Sequence, residues 1–259
     1  MDTSKIVVDA LEFQDGLKAV LAVAPKAEPN DLVQFRIVSD SLIICARTQW
    51  ELIAVEISTH YVDMNYERDE AFEITRNEAV ALSSMRMKKD DEEDDPRLGL
   101  LVHEKYVLRT DETGLGLGLR SVKVKRHGNH YETALGNIPR VLHDARRATP
   151  TTRRPMMEPK QVGMVAAAFR SWSKNPTIWT TSSDEATVVR NVVAGSGITM
   201  VLMSSQFEGE AKKKQTIRSE GEEAAADFVD VPLDMEIIVI DGEKHAKATV
   251  TANPPGGIA

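Results

Sequence analysis

One order of elements occurs twice in the first half of the chain, and it restricts the fold more than any motif does. Residues 5–10 (KIVVDA) are strand-like, and 11–24 then take a helical period. Leu17, Val20, Leu21 and Ala24 fall at i, i+3, i+4 and i+7, with Gln14, Asp15 and Lys18 on the other side. Pro25 and Pro29 end that helix. Three strands are predicted next, over 32–38, 42–47 and 51–57, with Asp40 and Ser41 turning the chain between the first two. Val33, Phe35 and Ile37 point one way and Gln34 and Arg36 the other, which predicts an antiparallel sheet with one wetted face. The order then restarts, with a strand over 71–75, a helix over 76–89 and strands over 97–104, 105–111 and 119–126. The acidic run at 90–95 separates helix from strand as an exposed loop. The repeat is one of element order, at a period of roughly 65 residues, and such repeats set whole architectures.

A third region starts near Gly128. Helices are predicted over 137–148 and 160–174. The second carries Val162, Val165, Ala166, Phe169 and Trp172 on its apolar face, with Pro159 at its start. A proline-punctuated turn, 149–159, joins them, and strands over 177–182, 186–193 and 198–203 follow, with a turn at Gly195 to Gly197. From Ser205 on there are six Lys/Arg against eleven Asp/Glu, so 205–259 is expected to be an acidic, flexible C-terminal region in which 235–240 could form or join a strand. The predicted division is 1–127, 128–204 and 205–259.

Composition narrows the chemistry. With 259 residues, 42% of them hydrophobic, the chain can bury a real core. A single cysteine, Cys45, excludes a disulfide framework and a Cys-based zinc site. The six histidines show no ligand spacing; His60, His103 and Ser182 have no partner set implied by spacing. The glycine-rich 113–119 lacks the Lys-Ser/Thr of a phosphate loop and no helix follows it, so it is a turn or a twisted strand. Nothing resembles a nucleophile elbow, a paired-carboxylate site or a zincin helix. A non-enzymatic protein without metal or cofactor is expected. The N-terminus is not a signal peptide and no apolar run is long enough to span a membrane, which predicts a cytoplasmic protein of a bacterium or an infected host cell.

The net charge of −8 conceals an asymmetry. Between Ile138 and Lys174 lie eight bases against Asp144 and Glu158, a local net of +6. The candidate helices place bases on their solvated faces, and acids concentrate in loops and the tail. Basic residues near helix C-termini are also favoured by the dipole alone. The surface suits a phosphate backbone held without sequence reading.

Two stretches carry a family resemblance. IVVDALEFQDGLKAVLAVAPKAEP followed by LVQFRIVSDSLIICARTQWELIAVEI is similar to the opening of bacterial beta clamps, and FEITRNEAVALSSM followed by YVLRTDETG is similar to the second half of a clamp domain. Near the end, ITMVLMS after a helix and two strands looks like a closing clamp strand. The chain thus resembles the DNA sliding clamps, the processivity rings of replicative polymerases, most strongly over 5–125. The resemblance implies an α+β fold of repeated β-α-β-β-β units, with antiparallel sheets outside and helices lining a ring. It implies a homo-oligomer on double-stranded DNA, held without sequence specificity, with DNA polymerase and a clamp loader as partners. Bacterial clamps have three domains per subunit, and this length is nearer the clamps that close as trimers, including viral ones, so a divergent phage or viral member is expected. The helices at 137–148 and 160–174 lie too close for three strands between them, so the second domain is shortened or rearranged. DNA-backbone contacts would come from Lys18, Arg86, Lys89, Arg140, Arg146, Arg147, Arg170 and Lys174. Two alternatives stay open: an open, non-ring nucleic-acid-binding replication or recombination accessory protein, and a structural protein whose basic region packs on its own acidic tail. Aromatics are only 5% and do not interleave with the bases, which counts against a stacking platform for single strands.

Overall fold

Aspartate and threonine turn strands directly into helices at two equivalent places. In the computed structural model, which describes residues 3–27, 31–84, 96–113, 120–128, 135–151, 157–172, 175–181 and 188–205, the chain forms two units. The first comprises Met1–Ala46 and Val55–Leu135. Its β1 (Ser4–Asp9) runs into α1 (Ala10–Leu21) with no loop. Asp9 is extended, and its carboxylate accepts the Glu12 amide at 2.7 Å, satisfying one of the free donors of the first turn. Three strands follow, β2 (Leu32–Val38), β3 (Ser41–Arg47) and β4 (Glu51–Asp63). One turn of helix, α2 (Tyr66–Asp69), leads to β5 (Ala71–Thr75) and α3 (Arg76–Ser84). Thr75 Oγ1 accepts the Glu78 amide at 3.3 Å while the Glu78 carboxylate accepts the Thr75 amide at 2.7 Å, a reciprocal capping box. Three more strands complete the second half, β6 (Arg97–Val102), β7 (Tyr106–Asp111) and β8 (Ser121–Lys125). The repeated strand–helix–three-strand order is therefore the observed one.

Sheet order explains why the two halves fold as one. It runs β5-β2-β3-β4-β1-β6-β7-β8, so the first strand of each half pairs within the other: β5 on β2 and β1 on β6. Exchanging the halves maps this order onto itself if β8 meets β5. That contact exists as a single bridge, Glu73 to Gly128, with the His127 amide donating to the Glu73 carbonyl at 2.8 Å. The sheet is antiparallel and nearly closed. Its two helices, α1 and α3, pack side by side.

A row of rings fills the core. Phe13 of α1, Phe35 of β2 and Phe72 of β5 stack with centroids 6.3 and 5.0 Å apart, and all three are fully buried, each contributing about 1.5–3 kcal/mol. A guanidinium closes each end: Arg109 of β7 lies 5.7 Å from the Phe13 centroid and Arg126 lies 5.8 Å from that of Phe72. Arg109 also donates to the Leu82 carbonyl in the last turn of α3. Arg126 donates to Asp69 at 2.5 Å and to the carbonyls of Arg68, His103 and Gly128.

The expectation of a wetted face on β2 is overturned. Gln34 is 0% and Arg36 4% exposed. Arg36 Nε donates to the Gln34 carbonyl oxygen at 2.6 Å, Gln34 donates to Glu73 at 3.3 Å, and the Leu135 amide closes over the same carboxylate at 3.0 Å. The polar face is covered, and hydrogen bonding makes that burial tolerable.

The second unit takes Arg47–Ala54 and the chain from Gly136 onward. Gly136, at φ 66°, turns the backbone into Asn137, whose side chain accepts the Arg140 amide and starts α4 (Ile138–Arg147). The next helix, α5 (Pro159–Trp172), begins at its proline as expected. A meander of β9 (Thr177–Thr181), β10 (Val188–Gly195) and β11 (Ile198–Ser205) follows, and β11 pairs on its other side with β4, the Met203 amide donating to the Trp50 carbonyl. Both helices lie on β11. Gln161 donates to the Met203 carbonyl and Trp172 Nε1 to that of Ser196, so α5 runs the length of β11 in the opposite direction. Between α4 and α5 the described chain makes one bridge, Pro150 to Thr181.

Candidate nucleic-acid interface

Charge on each helix is decided by what its neighbours do with it. On α1, Lys18 is exposed but paired with Asp15 at 2.8 Å, and Glu12 is exposed beside them, so this helix presents no net positive face. Lys18 is thus on the solvated side as expected, and its charge is shared with Asp15. The first base of α3, Arg76, donates to the Leu21 carbonyl at 3.4 Å and helps cap the end of α1. The exposed side of α3 consists of Asn77, Val80 and Ser84. Arg86 and Lys89 lie outside the described residues, as do the loop at 90–95 and most of the glycine-rich 113–119.

Among the described helices, the exposed cations outside ion pairs are in the second unit. Along α4, Arg140 pairs with Asp144 at 3.2 Å and Arg146 reaches back to the Thr199 hydroxyl of β11 at 3.4 Å. Burial lowers the titration of His143, with help from Arg147 and Arg140 and against the pull of Asp144, so this ring adds no charge at neutral pH. Arg147 faces solvent. On α5, Lys160 extends toward Glu51 at 3.9 Å, and Arg170 is exposed near the far end. Among the described residues neither Arg147 nor Arg170 makes an ion pair. Around Arg170 the exposed side of α5 is built of Val162, Gly163, Ala166 and Ala167, a low-relief surface; a Cβ added at Gly163 would meet nothing within 4 Å. Lys174 lies outside the described residues.

Of the eight bases singled out from sequence, the structure thus leaves Arg147 and Arg170 available, ties Lys18 and Arg140 to carboxylates, and turns Arg146 toward the sheet. One basic surface was missed. Lys123 and Lys125 of β8 and Arg120 just before it are exposed; β8 pairs on one side with β7, and on the other the described residues make only the Glu73–Gly128 bridge. Its signal was the alternation in SVKVK, with lysines on the side away from buried Val124. Lys123 lies over the Tyr106 ring at 3.7 Å.

Burial pushes the Cys45 thiol up to about 12, which leaves it inert. No three metal-ligating side chains come together among the described residues, and none of the described helices is long and apolar enough to cross a membrane.

Solved structures place the fold. The DNA polymerase III beta subunit from Thermotoga maritima matches with a TM-score of 0.53 at 10% identity, over 82% of this chain and 67% of that one. The Helicobacter pylori beta clamp bound to a DNA ligase peptide matches at 0.52 and 11%, over 81% and 68%. The Pseudomonas aeruginosa sliding clamp bound to griselimycin matches at 0.51 and 8%, over 82% and 68%. No family model matches the sequence, and no curated protein matches it. The fold is the clamp fold. Unit one is about half of the chain, so a match over 82% extends well into the second unit.

Proposed function

We propose that this chain is a subunit of a DNA sliding clamp, a ring that encloses duplex DNA and tethers a replicative polymerase for processive synthesis. The observation that carries the reading is the fold match across 82% of the chain to beta subunits of a replicative polymerase. The chain spans about two thirds of those proteins, which accords with two domain-sized units per subunit and a trimeric ring, the second domain, 128–204, being shortened. A clamp holds DNA by enclosure, so phosphate contacts should be few and quickly exchanged. Exposed arginines on a smooth helix, such as Arg170 beside Ala166 and Ala167, meet that requirement, with Arg147, and Arg86, Lys89 and Lys174 as further lining bases. A polymerase and a loader would be its partners, and no catalytic step is assigned to it.

One observation favours a second reading, the open accessory protein. On the described helices of the first unit the exposed base, Lys18, is paired with Asp15, and the exposed cations Arg120, Lys123 and Lys125 of that unit lie on or beside β8 instead of on a helix. Retention on duplex circles and on linear duplex at rising salt separates the two. An enclosing ring stays on the circle at salt that strips it from the line, where it slides off an end. An open binder leaves both at the same salt, with a slope set by its phosphate contacts. Changing Arg140, Arg147, Arg170 and Lys174 together to Glu should abolish stimulation of a cognate polymerase. The fold should survive, since surface changes cost about 0.5 kcal/mol or less each.

A further inference from the structure

We propose that the acidic stretch 219–243 docks on the exposed arginines of α4 and α5 and competes there with the DNA backbone. The docking stands on charge and reach, whereas its consequence for DNA rests on the clamp reading of those helices. Between residues 219 and 243 the sequence has nine Asp/Glu and no Lys, Arg or His. All six bases of the tail fall outside this stretch: Lys212 to Lys214 and Arg218 before it, Lys244 and Lys247 after it. Its repeated carboxylates offer guanidinium groups the same sign of charge as a nucleic-acid backbone does, and the exposed Arg147 and Arg170 are complementary to it.

Position supports the pairing. The tail leaves the described chain at the end of β11, the strand on which both helices lie. Gln161, in the first turn of α5, holds the Met203 carbonyl at 3.0 Å. Arg170 is nine residues further along the helix, about 14 Å at its rise. Arg146 is fixed over Thr199, four residues back along β11, about 13 Å away at strand spacing, and Arg147 follows it. The thirteen residues 206–218 span at most about 45 Å when extended and about 20 Å as a random coil. The acidic stretch therefore begins within reach of both arginines, and the tether gives it a high local concentration.

The test uses the full chain and a second full chain in which the nine acids are changed to Gln or Asn. Phenylglyoxal, which modifies exposed guanidinium groups, is the probe, and its rates at Arg147 and Arg170 are read by peptide mass analysis. Docking predicts modification about fivefold slower in the unaltered chain at low salt, rising to the rate of the neutralised chain as salt approaches about 1 M and screening becomes nearly complete. The salt series on the unaltered chain keeps the result independent of how the variant folds. Equal rates at low salt, or rates indifferent to salt, overturn the proposal. Protection that grows with chain concentration assigns the tail to a neighbouring copy and overturns the intramolecular form. On nicked circular duplex the neutralised chain should bind about tenfold more tightly at low salt. Protected arginines with unchanged DNA affinity would keep the docking and remove α4 and α5 from the DNA-facing surface instead.

Discussion

Asp69 and Arg126 show how a charged pair can organise an apolar fold. Asp69 is fully buried and accepts from Ser4 of β1 at 2.5 Å, from Arg68 and from Arg126, so one carboxylate joins β1, α2 and the end of β8. Burial by itself would raise its titration, but the hydrogen bonds from Arg68, Ser4 and Arg126 outweigh that and hold it below the usual carboxylate range. A carboxyl with a depressed folded pKa adds stability that is complete above its unfolded value of about 3.9 and disappears as pH falls through the folded value. Asp69→Asn should therefore cost about 3 kcal/mol at pH 7, because Arg126 loses its counter-charge inside the protein. The variant should also lose less stability than the parent between about pH 4 and pH 2. Urea midpoints across that range test both, and a variant with an unchanged acid limb would put the depression elsewhere. None of this was legible in the sequence. Alternation assigns a polar residue such as Gln34 or Arg36 to water, and their partner Glu73 lies more than thirty residues away, where local pattern has no reach.

Elements whose signals are local were legible. The repeated order was readable from alternation and helical period, and the strand-to-helix starts at Asp9 and Thr75 also carry D-x-x-E and T-x-x-E, both of which fold as caps. Longer pairings were not. The strand expected over 51–57 continues to Asp63, because β1 pairs with the polar end of β4 from Thr59 to Asp63. The single turn α2 is too short to leave a period. In the second unit the α5-to-β11 order was readable, while the pairing of β11 with β4 depended on contacts some 150 residues apart in sequence. The capping argument is directly testable. Thr75→Ala and Asp9→Ala should each cost about 1 kcal/mol, measured as a drop in thermal midpoint. Glu78→Gln should be nearly neutral, since an amide oxygen can complete the same box. If Glu78→Gln cost as much as Thr75→Ala, the contact of Glu78 with His127 at 3.1 Å, rather than the cap, would be the important one.

Assembly is the scale at which sequence says least, because an interface between copies leaves no period and no motif. The structure supplies two edges that need an explanation. Among the described residues, β8 in the first unit has only the Glu73–Gly128 bridge on its outer side, and β9 in the second only the bridge at Thr181, with Ile178 42% exposed. Open strand edges are sites of pairing and of aggregation, and the lysines along β8 discourage random pairing there. A head-to-tail contact, the edge of one unit meeting the other edge in the next copy, would cover both and close into a ring if the rotation allows. The expected species is a trimer of three times 28.6 kDa by sedimentation equilibrium. Ile178→Asp should shift it to monomer at the same concentration, because the charge would be buried unpaired at a sheet edge. Far-UV circular dichroism should be unchanged, since the residue is already exposed in the single chain. A wild-type chain that stays monomeric at about 100 μM, tested also with nicked circular duplex and a loader present, would remove the ring and leave the open accessory protein. A trimer indifferent to Ile178→Asp would keep the ring and move its interface away from β9.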